Sequence, residues 1–114
     1  MTVWLIALFA AAACVQAAEP LSPLVKSRLL LGRDLYRENC VVCHDIEKDR
    51  AHSNKFGPSL NHLFKNETLP GGHGKPSRQY VEVRIKFGGS VMPAFGKRLT
   101  QDEINTLIDY IDTK

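Results

Sequence analysis

The chain has 114 residues, a formal net charge of +3, three cysteines and a single tryptophan. This length permits one domain. The charged residues are interspersed rather than grouped by sign, so no nucleic-acid partner is expected.

Residues 1–17 are predicted to be a secretory signal peptide that precedes a mature domain over residues 18–114. Trp4–Ala13 is an apolar run without charge, and Val15 and Ala17 have the small or aliphatic character expected before a cleavage site. We therefore expect an exported, periplasmic protein.

Two alternatives would attach the chain to a membrane. The leader could be retained as an anchor, although Trp4–Ala18 is shorter than the roughly 20 apolar residues that cross a bilayer. Alternatively, Cys14 could be acylated as in a lipoprotein, but the leucine usual three positions earlier is missing. Cleavage after Ala17 is preferred because it removes Cys14 and leaves only the two cysteines of the motif described next.

The first predicted helix begins at Ser22 and Pro23, an N-cap residue followed by proline at the first helical position. Residues at intervals of three and four then share one face of this helix, and they are Val25, Leu29, Gly32, Tyr36 and Cys40.

This face continues into Cys40–His44, whose sequence is C-x-x-C-H, the attachment motif for c-type haem. Two thiols at this spacing can bind the porphyrin vinyl groups, and the histidine can ligate the iron. A zinc site is not favoured because no cysteine follows Cys43. A thioredoxin-like pair is not favoured either, since no βαβ pattern flanks the motif.

The middle of the chain is predicted to be largely loop. Asp45–Lys55 is polar and aperiodic, and it ends at the turn signal Phe56–Leu60. A short helix is predicted over Ser59–Lys65, followed by a flexible glycine-rich loop over Asn66–Lys75.

Tyr80–Phe87 alternates apolar and polar residues, which favours a strand, although Ser77 could cap a helix there. Met92 follows as the only methionine besides the initiator. A histidine and a methionine thioether form the axial pair of electron-transfer cytochromes. The last segment predicts an amphipathic helix, with a capping box at Thr100–Glu103.

With these residues in place, the chain resembles the class I monohaem cytochromes c of the small bacterial type. The resemblance covers Leu24 to Ile111 and rests on five features in order. They are Gly32 with Tyr36, then Cys40–His44, Gly57–Leu60, Met92–Phe95, and Tyr110 on the closing helix.

The resemblance implies an all-α fold, with about four helices wrapped around one covalently bound haem c. It places Gly32 and Tyr36 against Tyr110 where the first and last helices cross. It also implies that Ser77–Phe87 is helical, against the alternating pattern.

At the haem, Cys40 and Cys43 are expected to be the covalent attachment points, with His44 and Met92 as the axial iron ligands. The resemblance implies that the Pro58 carbonyl accepts a hydrogen bond from His44, which fixes the orientation of a ligating histidine.

The expected function is electron transfer between redox protein partners, without enzymatic activity of its own. The alternative is a haem-binding enzyme subunit or small-molecule sensor in which Met92 is displaced. Either His52, His62 or His73 would then replace Met92, or the site would stay open. We expect His52 and His73 to be solvated, and His62 to be buried beside leucines. Candidate partners for the haem propionates are Arg84, Lys97 and Arg98.

Overall fold

The structure is a computed structural model that describes residues 19–72 and 74–114. The predicted leader, Cys14 and His73 lie outside the described residues. The helices are α1 (Pro23–Asn39), a 3-10 helix (Leu63–Lys65), α2 (Arg78–Phe87) and α3 (Gln101–Asp112). These described ranges contain no strand, which confirms the all-α prediction. The short helix predicted over Ser59–Lys65 is only the 3-10 helix Leu63–Lys65. In the described residues the fold therefore has three α-helices and one 3-10 helix, where about four helices were predicted.

Local capping chemistry sets where the α-helices begin. The Ser22 hydroxyl accepts from the backbone N–H of Val25 at 3.3 Å, directly before Pro23. At α3, Thr100 and Glu103 form the predicted reciprocal capping box. Side chains thereby satisfy backbone donors that have no partner within the helix.

Helix α2 shows that the alternating pattern of residues 80–87 was misleading. Ser77 caps this helix by accepting from the backbone N–H of Tyr80 at 3.1 Å. Val81 and Ile85 are one helical turn apart and are its two buried residues. Burial of Val81 and Ile85 on one face of the helix therefore decides the conformation of residues 80–87, because burial outweighs intrinsic strand propensity.

Helices α1 and α3 cross with very little space between them. A Cβ atom on Gly32 would lie 2.6 Å from both the Thr106 carbonyl oxygen and the Tyr110 Cβ. Beside this contact, the rings of Tyr36 and Tyr110 lie 6.1 Å apart between centroids. The crossing predicted at these residues is confirmed. Val25 lies on the same predicted helix face as Gly32 and Tyr36 but is 42% exposed, so the first turn of α1 contributes little to the core.

Helix α3 supplies the centre of the core. Ile104, Leu107 and Ile108 are at most 1% exposed. Ile111 of α3 is also buried, and the remaining buried apolar residues come from α1, the 3-10 helix, α2 and the loops. They are Leu35, Tyr36, Cys40, Ile46, Leu63, Val81, Ile85 and Phe95. Ile46 is an unexpected member, since its loop was predicted to be solvated throughout. None of the helices in residues 19–72 and 74–114 has the length and apolar character that a bilayer crossing requires.

Asp109 joins all three α-helices. Its carboxylate accepts from Arg28 of α1 at 2.9 Å and from Arg78 of α2 at 2.6 Å. Burial on its own raises the pKa of Asp109, but the hydrogen bonds from the two arginines outweigh it and lower this pKa below its usual value.

We expect Asp109→Asn to flatten the loss of stability in acid. The lowered pKa means that ionised Asp109 stabilises the fold above its unfolded pKa, about 3.9, and that this contribution is lost as pH falls through the folded value. Because the side chain is 33% exposed, the loss at neutral pH should be no more than about 1 kcal/mol. Urea unfolding of the haem-loaded protein from pH 7 to pH 3 measures the effect.

The control is Asp112→Asn, which removes a more distant contact to Arg78 at 3.7 Å. This variant should keep the pH dependence of the unmodified protein. If Asp109→Asn also keeps it, the ion pairs of Asp109 do not contribute to acid stability.

Candidate functional site

The C-x-x-C-H motif forms a tight turn at the end of α1. The backbone N–H of Cys40 donates to the Tyr36 carbonyl at 2.8 Å and so continues the helix into the motif. The N–H groups of Cys43 and His44 then both donate to the Cys40 carbonyl, at 3.1 and 2.9 Å. Hydrogen bonds within the motif thus hold two thiols and an imidazole together.

The two cysteines lie in different environments. They form no disulfide, and Cys40 is buried whereas Cys43 is exposed. In the chain without haem, burial, followed by the charge of Cys43, raises the pKa of the Cys40 thiol to about 11. Before haem attachment Cys40 is therefore protonated at neutral pH, and it faces the interior at the start of the motif.

His44 is held in one orientation by the loop that follows it. Its Nδ1 lies 2.7 Å from the Pro58 carbonyl oxygen and donates to it, as the resemblance implied. The backbone N–H of Gly57 donates to the Cys43 carbonyl at 2.6 Å and fixes that loop against the motif. Within the described part of the chain no hydrogen bond involves Nε2 of His44, so this nitrogen is available as a ligand.

One cavity of about 360 Å³ brings the predicted site residues together. Cys40, Cys43, His44 and Met92 all line it, although the methionine is far from the motif in sequence. The other lining residues are mainly apolar and include Phe56, Leu60, Leu63, Leu69, Val81, Ile85, Val91, Phe95 and Ile111. Two thiols, an imidazole and a thioether around an apolar space match the chemistry of a covalently held haem.

The exposed apolar surface beside the cavity supports the same fit. Phe56 is 79% exposed and Val91 is 67% exposed, yet both line the cavity. An apolar porphyrin in the cavity would cover surface that is otherwise left against water. Such cover compensates for the small core that a chain of this size can build.

His52 and His62, two of the three alternative ligands, do not line the cavity. His52 is exposed and pairs with Asp49, with 2.6 Å between Nδ1 and the carboxylate oxygen. His62 was expected to be buried, and that prediction is wrong. It is exposed, in the left-handed region at φ 52°, while the neighbouring Leu63 takes the core position. Of the propionate candidates, Arg84 lines the cavity, whereas Lys97 and Arg98 do not.

Several site residues were not identified from the sequence. The Tyr36 hydroxyl donates to the His44 carbonyl at 2.7 Å, and Lys55 donates to the same oxygen at 3.1 Å. Leu69, in the glycine-rich loop, forms part of the cavity wall. Tyr36 could have been predicted from its place on the helix face that it shares with Gly32 and Cys40. Nothing in the polar loop distinguished Lys55 from its neighbours.

Comparisons with known proteins agree on the family. The family model described as "Cytochrome C oxidase, cbb3-type, subunit III" matches residues 28–111. The cytochrome c6 of Euglena gracilis is 30% identical, over 73% of this chain and 88% of its own. That of Microcystis aeruginosa is 29% identical, over 70% and 89%.

A solved structure gives the same result for the fold. The c-type cytochrome SorU from Sinorhizobium meliloti has a TM-score of 0.54 and 26% identity, covering 77% of this chain and 91% of that chain. The residues matched by the family model run from α1 into α3 and contain Cys40, Cys43, His44 and Met92, the four predicted haem-binding residues on the cavity wall. The chain therefore belongs to this family of c-type cytochromes and carries one covalently bound haem c.

Proposed function

We propose that this cytochrome is an electron carrier in which Cys40 and Cys43 hold the haem covalently while His44 and Met92 ligate its iron. The observation that carries this proposal is the cavity that all four side chains line. When bound, the haem supplies a one-electron couple between ferrous and ferric iron. The protein supplies the ligands, their orientation and a low-dielectric surrounding.

Each ligand has its own support in the fold. Donation from His44 Nδ1 to Pro58 fixes the tautomer that leaves Nε2 for the iron and increases its basicity. The backbone carbonyl of Met92 accepts from Gly89 at 2.9 Å and anchors the loop that carries the thioether. A thioether and an apolar wall favour the ferrous state. With both His44 and Met92 bound to the iron, no coordination position would remain for oxygen or peroxide.

The cellular setting follows from the leader. We infer cleavage after Ala17, with residues 18–114 as the mature cytochrome domain and the periplasm as its location. The donor and the acceptor are then redox proteins, and membrane association requires a retained leader or an acylated Cys14. Neither His52 nor His62 lines the cavity, which supports a carrier over an enzyme subunit or sensor in which Met92 is displaced.

The test is ligand access to the reduced iron. The full-length chain, matured with a haem-attachment system, should give low-spin spectra in both oxidation states. Carbon monoxide added to the ferrous protein at neutral pH should leave its spectrum unchanged. A high-spin spectrum or ready binding of carbon monoxide would instead establish an open site of the enzyme or sensor type.

Gly57→Ala tests the proposed role of His44. A Cβ atom here would lie 2.6 Å from the Cys43 carbonyl oxygen and 2.7 Å from Cε1 of the His44 ring. Because the loop can move to relieve this overlap, we expect a loss of only about 1–2 kcal/mol in unfolding free energy. The displaced ring should also lower the reduction potential.

Guanidinium unfolding and a redox titration of the haem-loaded variant measure these two effects. Gly74→Ala provides no control because its φ of +70° is itself strained for alanine, so Gly71→Ala is used instead. No protein atom lies within 4 Å of a Cβ at Gly71, which lines the cavity and therefore serves as a control for stability only. Equal stability of the Gly57 and Gly71 variants, with the potential of the unmodified protein retained in Gly57→Ala, would show that the close contact with His44 does not hold the ligand.

A further inference from the structure

One lysine, Lys55, contacts the backbone carbonyl groups of the haem-binding turn Cys40–His44. The Lys55 ammonium group donates to the His44 carbonyl at 3.1 Å and also to the Val41 carbonyl. The buried Tyr36 hydroxyl donates to the same His44 oxygen at 2.7 Å. Two carbonyl groups of the motif are therefore bridged by one cation that comes from a separate loop.

Hydrogen bonds within the loop direct the Lys55 side chain toward the interior of the protein. The backbone N–H of Lys55 donates to the Ser53 hydroxyl at 3.3 Å, and that hydroxyl donates to Asp45 at 2.7 Å. Two residues later, Gly57 is bonded to the Cys43 carbonyl at 2.6 Å. As a result the Lys55 side chain is only 26% exposed, which is unusual for lysine.

The positive charge is only partly neutralised. Asp45 is the acidic residue paired with Lys55, and its oxygen lies 3.9 Å from Nζ, beyond hydrogen-bond distance. The Asp45 side chain is itself 15% exposed. The direct acceptors of the ammonium group are the uncharged carbonyls of Val41 and His44. A fixed cation thus lies against the residue proposed to ligate the iron.

We propose that Lys55 is a positioning residue that raises the reduction potential of the haem bound at His44. Ferric haem carries one more positive charge than ferrous haem, so a nearby cation disfavours the oxidised state. Since Lys55 is partly buried, solvent and salt screen this interaction less than they screen surface charges. The inference depends on the proposed ligation by His44, and it adds a determinant of the potential outside the axial pair.

Three substitutions separate charge from hydrogen bonding. Lys55→Arg keeps both, Lys55→Gln keeps a donor but loses the charge, and Lys55→Met loses both. We expect the Gln and Met variants to shift to a lower potential, with the ferrous-to-ferric ratio at a fixed ambient potential falling about threefold or more. The Arg variant should stay near the unmodified protein. Asp45→Asn, which removes the opposing charge, should shift the potential upward.

The readouts are a spectroelectrochemical titration and guanidinium unfolding of each haem-loaded variant. Lys48→Gln is the matched control, because Lys48 is an exposed cation on the same loop. It should leave the potential unchanged. A fall in stability without a change of potential in Lys55→Gln would overturn the proposal and leave Lys55 with a structural role. Equal shifts in Lys48→Gln and Lys55→Gln would also overturn it, since net charge alone would then explain them.

The spectrum of the unmodified protein distinguishes failure of this inference from failure of the proposed function. If that spectrum shows low-spin histidine and methionine ligation, the Lys55 series tests the lysine alone. If it does not, the proposed ligation is wrong, and the inference about Lys55, which depends on it, is wrong as well.

Discussion

Gly32→Ala is expected to lower the free energy of unfolding by about 3 kcal/mol, at the upper end of the usual cost of overpacking. Position 32 lies within α1, where alanine is favoured over glycine by roughly 1 kcal/mol in the absence of other contacts. The added methyl group, however, would lie 2.6 Å from both the Thr106 carbonyl oxygen and the Tyr110 Cβ. Neither atom is at the end of a flexible side chain, so relief requires α1 and α3 to move apart.

Guanidinium unfolding of the haem-loaded variant measures this loss. Gly71→Ala again serves as the control, because it makes the same chemical change where no atom lies within 4 Å. Its stability should remain within about 0.5 kcal/mol of the unmodified protein. If Gly32→Ala is as stable as this control, the close approach of α1 to α3 is not needed for the fold.

The helix starts were predictable because they depend on local chemistry. Ser22 and Thr100 each bond to a backbone group within the next turn, and such contacts depend on three or four neighbouring residues. The conformation of residues 80–87 was not predictable from the pattern alone. Their alternation fits a strand, whereas the family resemblance implied a helix. The cap at Ser77 and the burial of Val81 and Ile85 in the core favour the helix.

The site shows the same division between local and long-range information. Cys40, Cys43 and His44 lie within five consecutive residues, so their sequence was sufficient to predict a shared site. Met92 could be added because one conspicuous methionine followed the motif, although its place beside the cavity depends on tertiary structure. Lys55 could not be identified, since a lysine in a polar loop is normally solvated and only folding brings it to the His44 carbonyl.

His62 illustrates why burial is hard to predict beside leucines. It lies between Asn61 and Leu63, and an apolar neighbour made a buried side chain plausible. The backbone at His62 is instead left-handed, at φ 52°, so the side chains on its two sides do not follow one helical face. Leu63 enters the core and His62 remains exposed. Conformations at positive φ depend on the neighbouring turn rather than on hydrophobicity.

Met92→Ala is expected to have the largest effect on the redox chemistry. The loss of the thioether should remove the weak far-red sulfur-to-ferric band and leave high-spin or water-ligated iron. The reduction potential should fall by roughly 0.1–0.3 V, within the range of about 0.8 V that axial ligands span. Carbon monoxide should then bind the ferrous protein, because one axial position is open. Visible spectra and a redox titration measure all three changes.

The fold itself should tolerate this substitution. The loop at Met92 is held by its backbone, through the bond from Gly89 N–H to the Met92 carbonyl, and by the positive φ of 73° at Gly88. Neither feature depends on the methionine side chain. A change in spectrum without global unfolding therefore reports the ligand rather than the loop.

Val91→Ala is the control for this measurement, because the residue is adjacent, lines the same cavity and is 67% exposed. It should keep the far-red band and the low-spin spectrum, with only a small change of potential from the loss of apolar cover. An unchanged spectrum in Met92→Ala would contradict methionine ligation. Because His52 and His62 lie away from the cavity, His73 would then be the first histidine to replace. Conversely, a loss of the band in Met92→Ala alone assigns the sixth ligand to the one thioether on the cavity wall.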